Sequence, residues 1–216
     1  MSRILSIVLP SILLIGIVIS GVRRIIRTER LLVSFAFNPD ILVVAIMIIW
    51  LLYELGISMR DKEKNRQNLD YGTRELYGLS QSMTVLSALW IDSFWVKLSV
   101  FHILGVALLF CGISFRFWAI QTLGKYYSHI VRTIDHHKII DYGPYRYLRH
   151  PSYTGMIVAF CGICIFYCNI YSVLFFLVLL LPSIVLRILI EEKTLHTLDG
   201  YSEFAKYRKR LIPYVW

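Results

Sequence analysis

Apolar runs of near membrane-spanning length recur along the chain: Ile4 to Val22, Ile41 to Ser58, Leu79 to Trp95, Leu98 to Ile120, Tyr153 to Tyr167 and Tyr171 to Ile190. Several approach the roughly 20 residues a helix needs to cross a hydrocarbon layer about 30 Å thick. Within lipid each backbone N–H and C=O must find its partner inside the protein, which leaves helices and closed barrels as spanning structures. None of the runs alternates apolar and polar residues as barrel strands do. The expected fold is all-α, a polytopic transmembrane helical bundle of about six spans. With 57% hydrophobic residues in 216, the chain is too apolar for an ordinary soluble domain.

The third run carries Ser80, Gln81, Ser82, Thr84, Ser87 and Asp92. It must face other helices or lie at the interface, and the second case would leave five spans. Between the last two runs, Cys168-Asn169-Ile170 leaves room only for a tight turn. These runs therefore form a C-terminal antiparallel helical hairpin with both outer ends on one side.

The net charge of +9 does not point to nucleic acid, because Lys and Arg sit between apolar spans and at the C-terminus rather than along one soluble face. Basic loops set topology and meet anionic headgroups of membrane lipids. The tail with Lys206, Arg208, Lys209 and Arg210 is expected in the cytoplasm. Counting back six spans then leaves Arg23, Arg24, Arg27 and Arg30 outside, against the same rule. The segment Ile4 to Val22 is long, lacks a clear cleavage pattern and runs into Arg23-Arg24, so a retained helix is expected rather than a secretory signal. The four cysteines all lie in apolar runs and read as small buried residues; no metal site is expected.

Chemistry concentrates in the block from Gly143 to Gly155, polar and aromatic residues set directly against an apolar run. Pro151 suits the first turn of a helix, where its missing N–H costs nothing. The free N–H groups of such an end favour an anion, with His150 beside them as a further donor. Arg187 lies one helical turn before Glu191, at the exit of the hairpin, so the two clusters share a side. Tyr126, Tyr127, Tyr145, Tyr147 and Tyr153 crowd the same surface; they suit an interfacial aromatic belt or a surround for a cationic ligand.

Gly143-x-Tyr145, Arg149-His150-Pro151-x-Tyr153-x-Gly155, the turn near Asn169, Arg187-x-x-x-Glu191-Glu192-x-x-Leu195, then Asp199-Gly200, Tyr207 and Pro213 together resemble the isoprenylcysteine carboxyl methyltransferase family. They also resemble the wider superfamily of integral membrane methyltransferases, which includes phospholipid N-methyltransferases. The resemblance runs from about Ile41 to Pro213 and is strongest after Gly124. It implies a methyltransferase core over residues 41–216 built on five helices, with residues 1–40 as an added N-terminal helix and connector. The chain departs from the pattern at Gly200-Tyr201-Ser202-Glu203-Phe204, with one extra residue and Phe204 in place of the usual tyrosine.

The resemblance implies S-adenosyl-L-methionine as methyl donor, bound at the cytoplasmic surface. By position, His137, Lys138, Ile139 and Ile140 match a segment whose backbone lines the adenosine pocket, with Tyr145 beside it. His150, Pro151, Ser152 and Tyr153 match the second cofactor segment, and Arg132 stands at a frequent polar contact. Glu191 matches a cofactor-side acid, Glu192 being a near alternative, and Arg187 matches a substrate-side cation. A carboxylate acceptor is ionised at neutral pH and needs only a cation to hold it, whereas an amine must first lose a proton. Arg187 tilts the expectation toward the carboxylate of a prenylcysteine-like or other lipophilic acceptor entering from the bilayer. Phospholipid N-methylation is the second reading, and a non-catalytic membrane scaffold or transporter the third.

Overall fold

The computed structural model describes residues 2–31, 38–63, 72–92, 99–127, 139–212 and 216. Helices α1 (Ser2–Leu31), α2 (Pro39–Glu63), α3 (Thr73–Trp90), α4 (Val100–Leu123), α5 (Pro151–Tyr167), α6 (Ile170–Phe175), α7 (Leu181–Leu195) and α8 (Tyr201–Lys206) account for most of them. Between α6 and α7 runs a π-helical turn, Phe176–Leu180, so residues 170–195 form one continuous rod. Pro182 explains the irregularity: it has no N–H for the carbonyl one turn back, and the wider turn absorbs its ring.

Three helices, Pro39–Met59, Val100–Leu123 and Ile170–Leu195, are long and apolar enough to cross a membrane, and Pro151–Tyr167 is a shorter apolar helix. Their outward faces are bare hydrocarbon, with Ile49 and Ile103 each 68% exposed. A water-facing surface of that kind would associate, whereas lipid solvates it. The fold is thus the expected helical membrane bundle. α3 begins at Thr73, before the apolar run, and ends at Trp90; residues 93–98 of that run lie outside the described residues.

Close approach of α4 and α5 is built on four glycines. A Cβ on Gly105 would lie 2.9 Å from the Gly162 carbonyl oxygen, and one on Gly155 would lie 2.7 Å from that of Gly112. The pairs 105/162 and 112/155 run in opposite senses, which fixes an antiparallel contact in which backbone meets backbone. Lipid offers no hydrophobic drive for helix association, so such small-residue seams supply van der Waals contact instead.

The polar third helix faces its neighbours, as its composition requires. Ser80, Ser82 and Thr84 are buried and donate to carbonyls one turn back at 2.7 to 2.8 Å, so each of these three hydroxyls is satisfied within the helix. At the hairpin turn Asn169 caps α6 by accepting from the Ser172 N–H at 2.9 Å, while its amide donates to the Ser87 carbonyl at 3.3 Å. That pair ties the turn to the C-terminal end of α3.

The arginines after the first apolar run cluster at this same end. Arg23 donates to the Trp90 carbonyl and Arg24 to that of Ile91, closing the end of α3. Arg24 also pairs with Asp40 at 3.6 Å and Arg27 with Asp92. These charges cap a helix and meet acids at that end of the bundle. α1 packs into the bundle, placing Leu13 and Ile17 in the main core beside Val85 and Met47.

Candidate active site at one end of the bundle

At the end opposite Asn169, the start of α5 and the end of α7 come together. A cavity of about 260 Å³ opens there and continues between the helices. Its outer wall is polar and aromatic, with Tyr145, His150, Tyr153, Arg187, Glu191 and Tyr201. Its inner wall is apolar, drawn from Leu13 and Ile17 of α1, Met47 and Leu51 of α2, Val85 of α3 and Ile163 of α5.

Where the two walls meet, Arg187 is buried at 4% exposure. Its Nε donates to the Tyr153 hydroxyl at 3.2 Å, and that hydroxyl donates in turn to Glu191 Oε2 at 3.1 Å. The guanidinium also lies 5.6 Å from the centre of the Tyr77 ring, whose edge meets Tyr153. One tyrosine thus links a buried cation to a carboxylate on the polar wall.

The neighbouring acid plays a different part. Glu192 is 4% exposed and turns away from the cavity, receiving Arg149 Nη1 at 2.7 Å and Arg210 Nε at 2.8 Å. His150 stands between the two acids, its Nε2 3.3 Å from Glu192 and its Nδ1 3.9 Å from Glu191. The tail completes this arrangement. The Arg149 and His150 N–H groups donate to the Lys209 and Arg210 carbonyls at 2.8 and 3.0 Å, and the Thr154 hydroxyl donates to that of Leu211 at 2.7 Å.

A second buried ion pair braces the wall. Arg116 on α4 holds Glu54 on α2 through Nε at 2.6 Å and Nη2 at 3.0 Å, and also donates to the Ser152 carbonyl and the Tyr127 hydroxyl. Both partners line the cavity. Burial, more than any neighbouring charge, pushes the Tyr127, Tyr145 and Tyr201 phenols above their ordinary range. All three remain neutral hydrogen-bonding groups at physiological pH.

Of the residues expected from sequence, Ile139, Ile140, Tyr145, His150, Ser152, Tyr153, Arg187 and Glu191 all line this cavity. Pro151 is the first residue of α5, as expected, and shapes the wall through the backbone. Arg132, His137 and Lys138 lie outside the described residues. Of the two acids only Glu191 faces the cavity. Sequence reasoning passed over Arg116 and Glu54, although a charge inside an apolar run is itself a signal of a special site. Tyr77 and Tyr201 gave no comparable signal.

The fold and cavity define an integral membrane protein with a polar pocket that opens into an apolar interior between helices. Within it, residues 104–197 match the sequence profile of the isoprenylcysteine carboxyl methyltransferase (ICMT) family, and the resemblance read from the motifs is borne out over that segment. Protein-S-isoprenylcysteine O-methyltransferase B of Arabidopsis thaliana is 32% identical over 115 residues, 51% of this chain and 58% of the plant protein. The protein-S-isoprenylcysteine O-methyltransferase of Schizosaccharomyces pombe is 33% identical over 132 residues, 59% of this chain and 55% of its own length. That of Saccharomyces cerevisiae is 32% identical over 119 residues, 52% and 49% of the two lengths. The chain thus spans about half to three fifths of the curated relatives it matches.

Proposed function

We propose that this chain is an S-adenosyl-L-methionine-dependent methyltransferase that esterifies the carboxylate of a prenylated cysteine, working at the cytoplasmic face of a membrane. The observation that carries the reading is the two-part cavity, polar at the bundle end and apolar within, with Arg187 where the parts meet. Such a cavity suits one water-soluble and one lipidic reactant. The names of the relatives supply the reaction class.

The polar wall fits the proposed donor. The Tyr201 hydroxyl is buried and has no hydrogen-bond partner among the described residues, which suits a wall completed by a polar ligand. Tyr145 and Ile139 offer flat and apolar surface, Glu191 an acceptor for ammonium or ribose hydroxyl protons, and the α5 start with Arg149 and His150 a place for a carboxylate. When bound, the donor supplies an electrophilic methyl carbon on a sulfonium.

The residues then have mainly to position. A carboxylate, with a reference pKa of about 3.5, arrives ionised and requires no base. Arg187 holds it, Tyr153 orients Arg187, and the apolar wall keeps water from the reacting atoms. A carboxylate oxygen takes the methyl, the sulfur keeps the C–S bonding pair, and the products are a methyl ester and a neutral thioether. Well-aligned reactants of this kind reach effective molarities of about 10⁵ to 10⁸ M.

Cytoplasmic placement is supported by the basic residues gathered at this end, Arg146, Lys193, Lys206 and Lys209 among them, while Arg24 and Arg27 at the opposite end meet acids. The test is methyl transfer from labelled donor to a farnesylated cysteine analogue and, separately, to phosphatidylethanolamine. Labelling of the cysteine analogue is expected; labelling of the phospholipid alone overturns the carboxylate reading in favour of N-methylation.

A further inference from the structure

We infer that Tyr77 is an acceptor-binding residue, its hydroxyl and the Arg187 guanidinium together holding the acceptor carboxylate. The inference rests on the carboxylate reading above. Tyr77 belongs to α3, outside the segment that matches the family, so nothing in the motifs assigned it a part.

Three observations converge on it. Tyr77 lines the cavity, and its hydroxyl is buried with no hydrogen-bond partner among the described residues. A buried phenol normally finds a partner, and one that lacks it inside a cavity wall is satisfied by what fills the cavity. Its ring lies 5.6 Å from the Arg187 guanidinium carbon and stands edge to face with Tyr153 at 6.4 Å, so the side chain is fixed beside the cation. Finally, it sits where the polar and apolar walls meet, the place for the charged head of a molecule whose tail lies between the helices.

A cation beside a neutral O–H donor matches an acceptor-only group with two oxygens, and a carboxylate is such a group. A neutral amine, which must present its lone pair to the methyl carbon, gains nothing from this pair of donors. With one oxygen held by Tyr77 and Arg187, the other is left to face the donor methyl.

The test uses the whole chain in detergent with S-adenosylhomocysteine present, so that binding is read without turnover. N-acetyl-S-farnesylcysteine and its primary amide are titrated against the wild type and Tyr77→Phe. The wild type is expected to prefer the carboxylate, and Tyr77→Phe to lose about tenfold to a hundredfold in affinity for it, the range of one hydrogen bond to a charged group, with the amide unchanged. Melting without acceptor is expected to be unchanged or raised, because the substitution removes an unsatisfied buried hydroxyl. Parallel losses for both compounds, a lowered melting temperature, or no loss at all would make Tyr77 a packing residue and overturn the inference. A wild type that binds neither compound, or binds them equally, overturns the acceptor assignment itself and the inference with it.

Discussion

Arg187 donates to the hydroxyl of Tyr153 at 3.2 Å, across the gap between the last membrane helix and the one before it. Because that hydroxyl also reaches Glu191, the buried cation and the acid of the polar wall share one tether. Tyr153→Phe is therefore expected to lower turnover by about tenfold to a hundredfold through misplacement of Arg187. Single-turnover rates with both substrates saturating will show it; an unchanged rate would sever the tether from catalysis.

Arg187→Ala should abolish turnover while leaving donor binding largely intact, since the side chain lies where the polar and apolar walls meet, one helical turn from Glu191. Isothermal titration with S-adenosylhomocysteine separates the two effects. Equal losses in binding and turnover would move Arg187 into the donor pocket.

Two adjacent acids should fail in opposite ways. Glu192 is held by Arg149, Arg210 and His150. Glu192→Ala leaves the Arg149 and Arg210 guanidinium groups without their shared acid, at a cost on the order of 3 kcal/mol in stability. Glu191→Gln is expected to weaken donor binding and change the melting temperature little. Thermal denaturation in detergent, run beside donor titrations, checks both, and a reversed pattern would exchange the two roles.

For the Arg116–Glu54 pair, either single substitution to Met strands a buried charge, costing about 3 to 5 kcal/mol. The double variant should lose much less than the sum. A double-mutant cycle on thermal stability measures the coupling, and simple additivity would mean the pair contributes no mutual stabilisation.

Alkaline conditions should weaken the fold. Tyr145 and Tyr201 are buried phenols whose pKa values lie above the unfolded reference of about 10, so the native state retains their protons longer than the unfolded chain does. Their contribution is complete below that reference and lost as pH climbs through the folded values. Tyr201→Phe should flatten the decline in melting temperature above about pH 10; an unaltered profile would place the titrating group elsewhere.

Much of this molecule was readable in advance, because membrane helices declare themselves by length and apolarity. The hairpin followed from three residues, Cys168-Asn169-Ile170, and brought Tyr153 and Glu191 together as expected. The sequence favours Glu191 with Glu192 as a near alternative; neighbours on a helix differ by about 100° in direction, and only the position of Arg149 and Arg210 decides which is engaged. Tyr77 was hidden for a related reason. Its significance lies in an unfilled hydrogen bond, which is a property of packing and not of any local pattern.

The tail residues that embrace Glu192 impose an order on biogenesis. Chains emerge from the ribosome N-terminus first, so the apolar wall from α1, α2 and α3 is available well before Lys209 and Arg210 exist. Until those two residues reach the surface, the backbone of Arg149 and His150 lacks its acceptors and Glu192 lacks one of its cations. The nascent protein thus holds a lipid-compatible interior first and acquires its complete polar mouth last, so an unfinished chain presents no finished pocket at that end of the bundle.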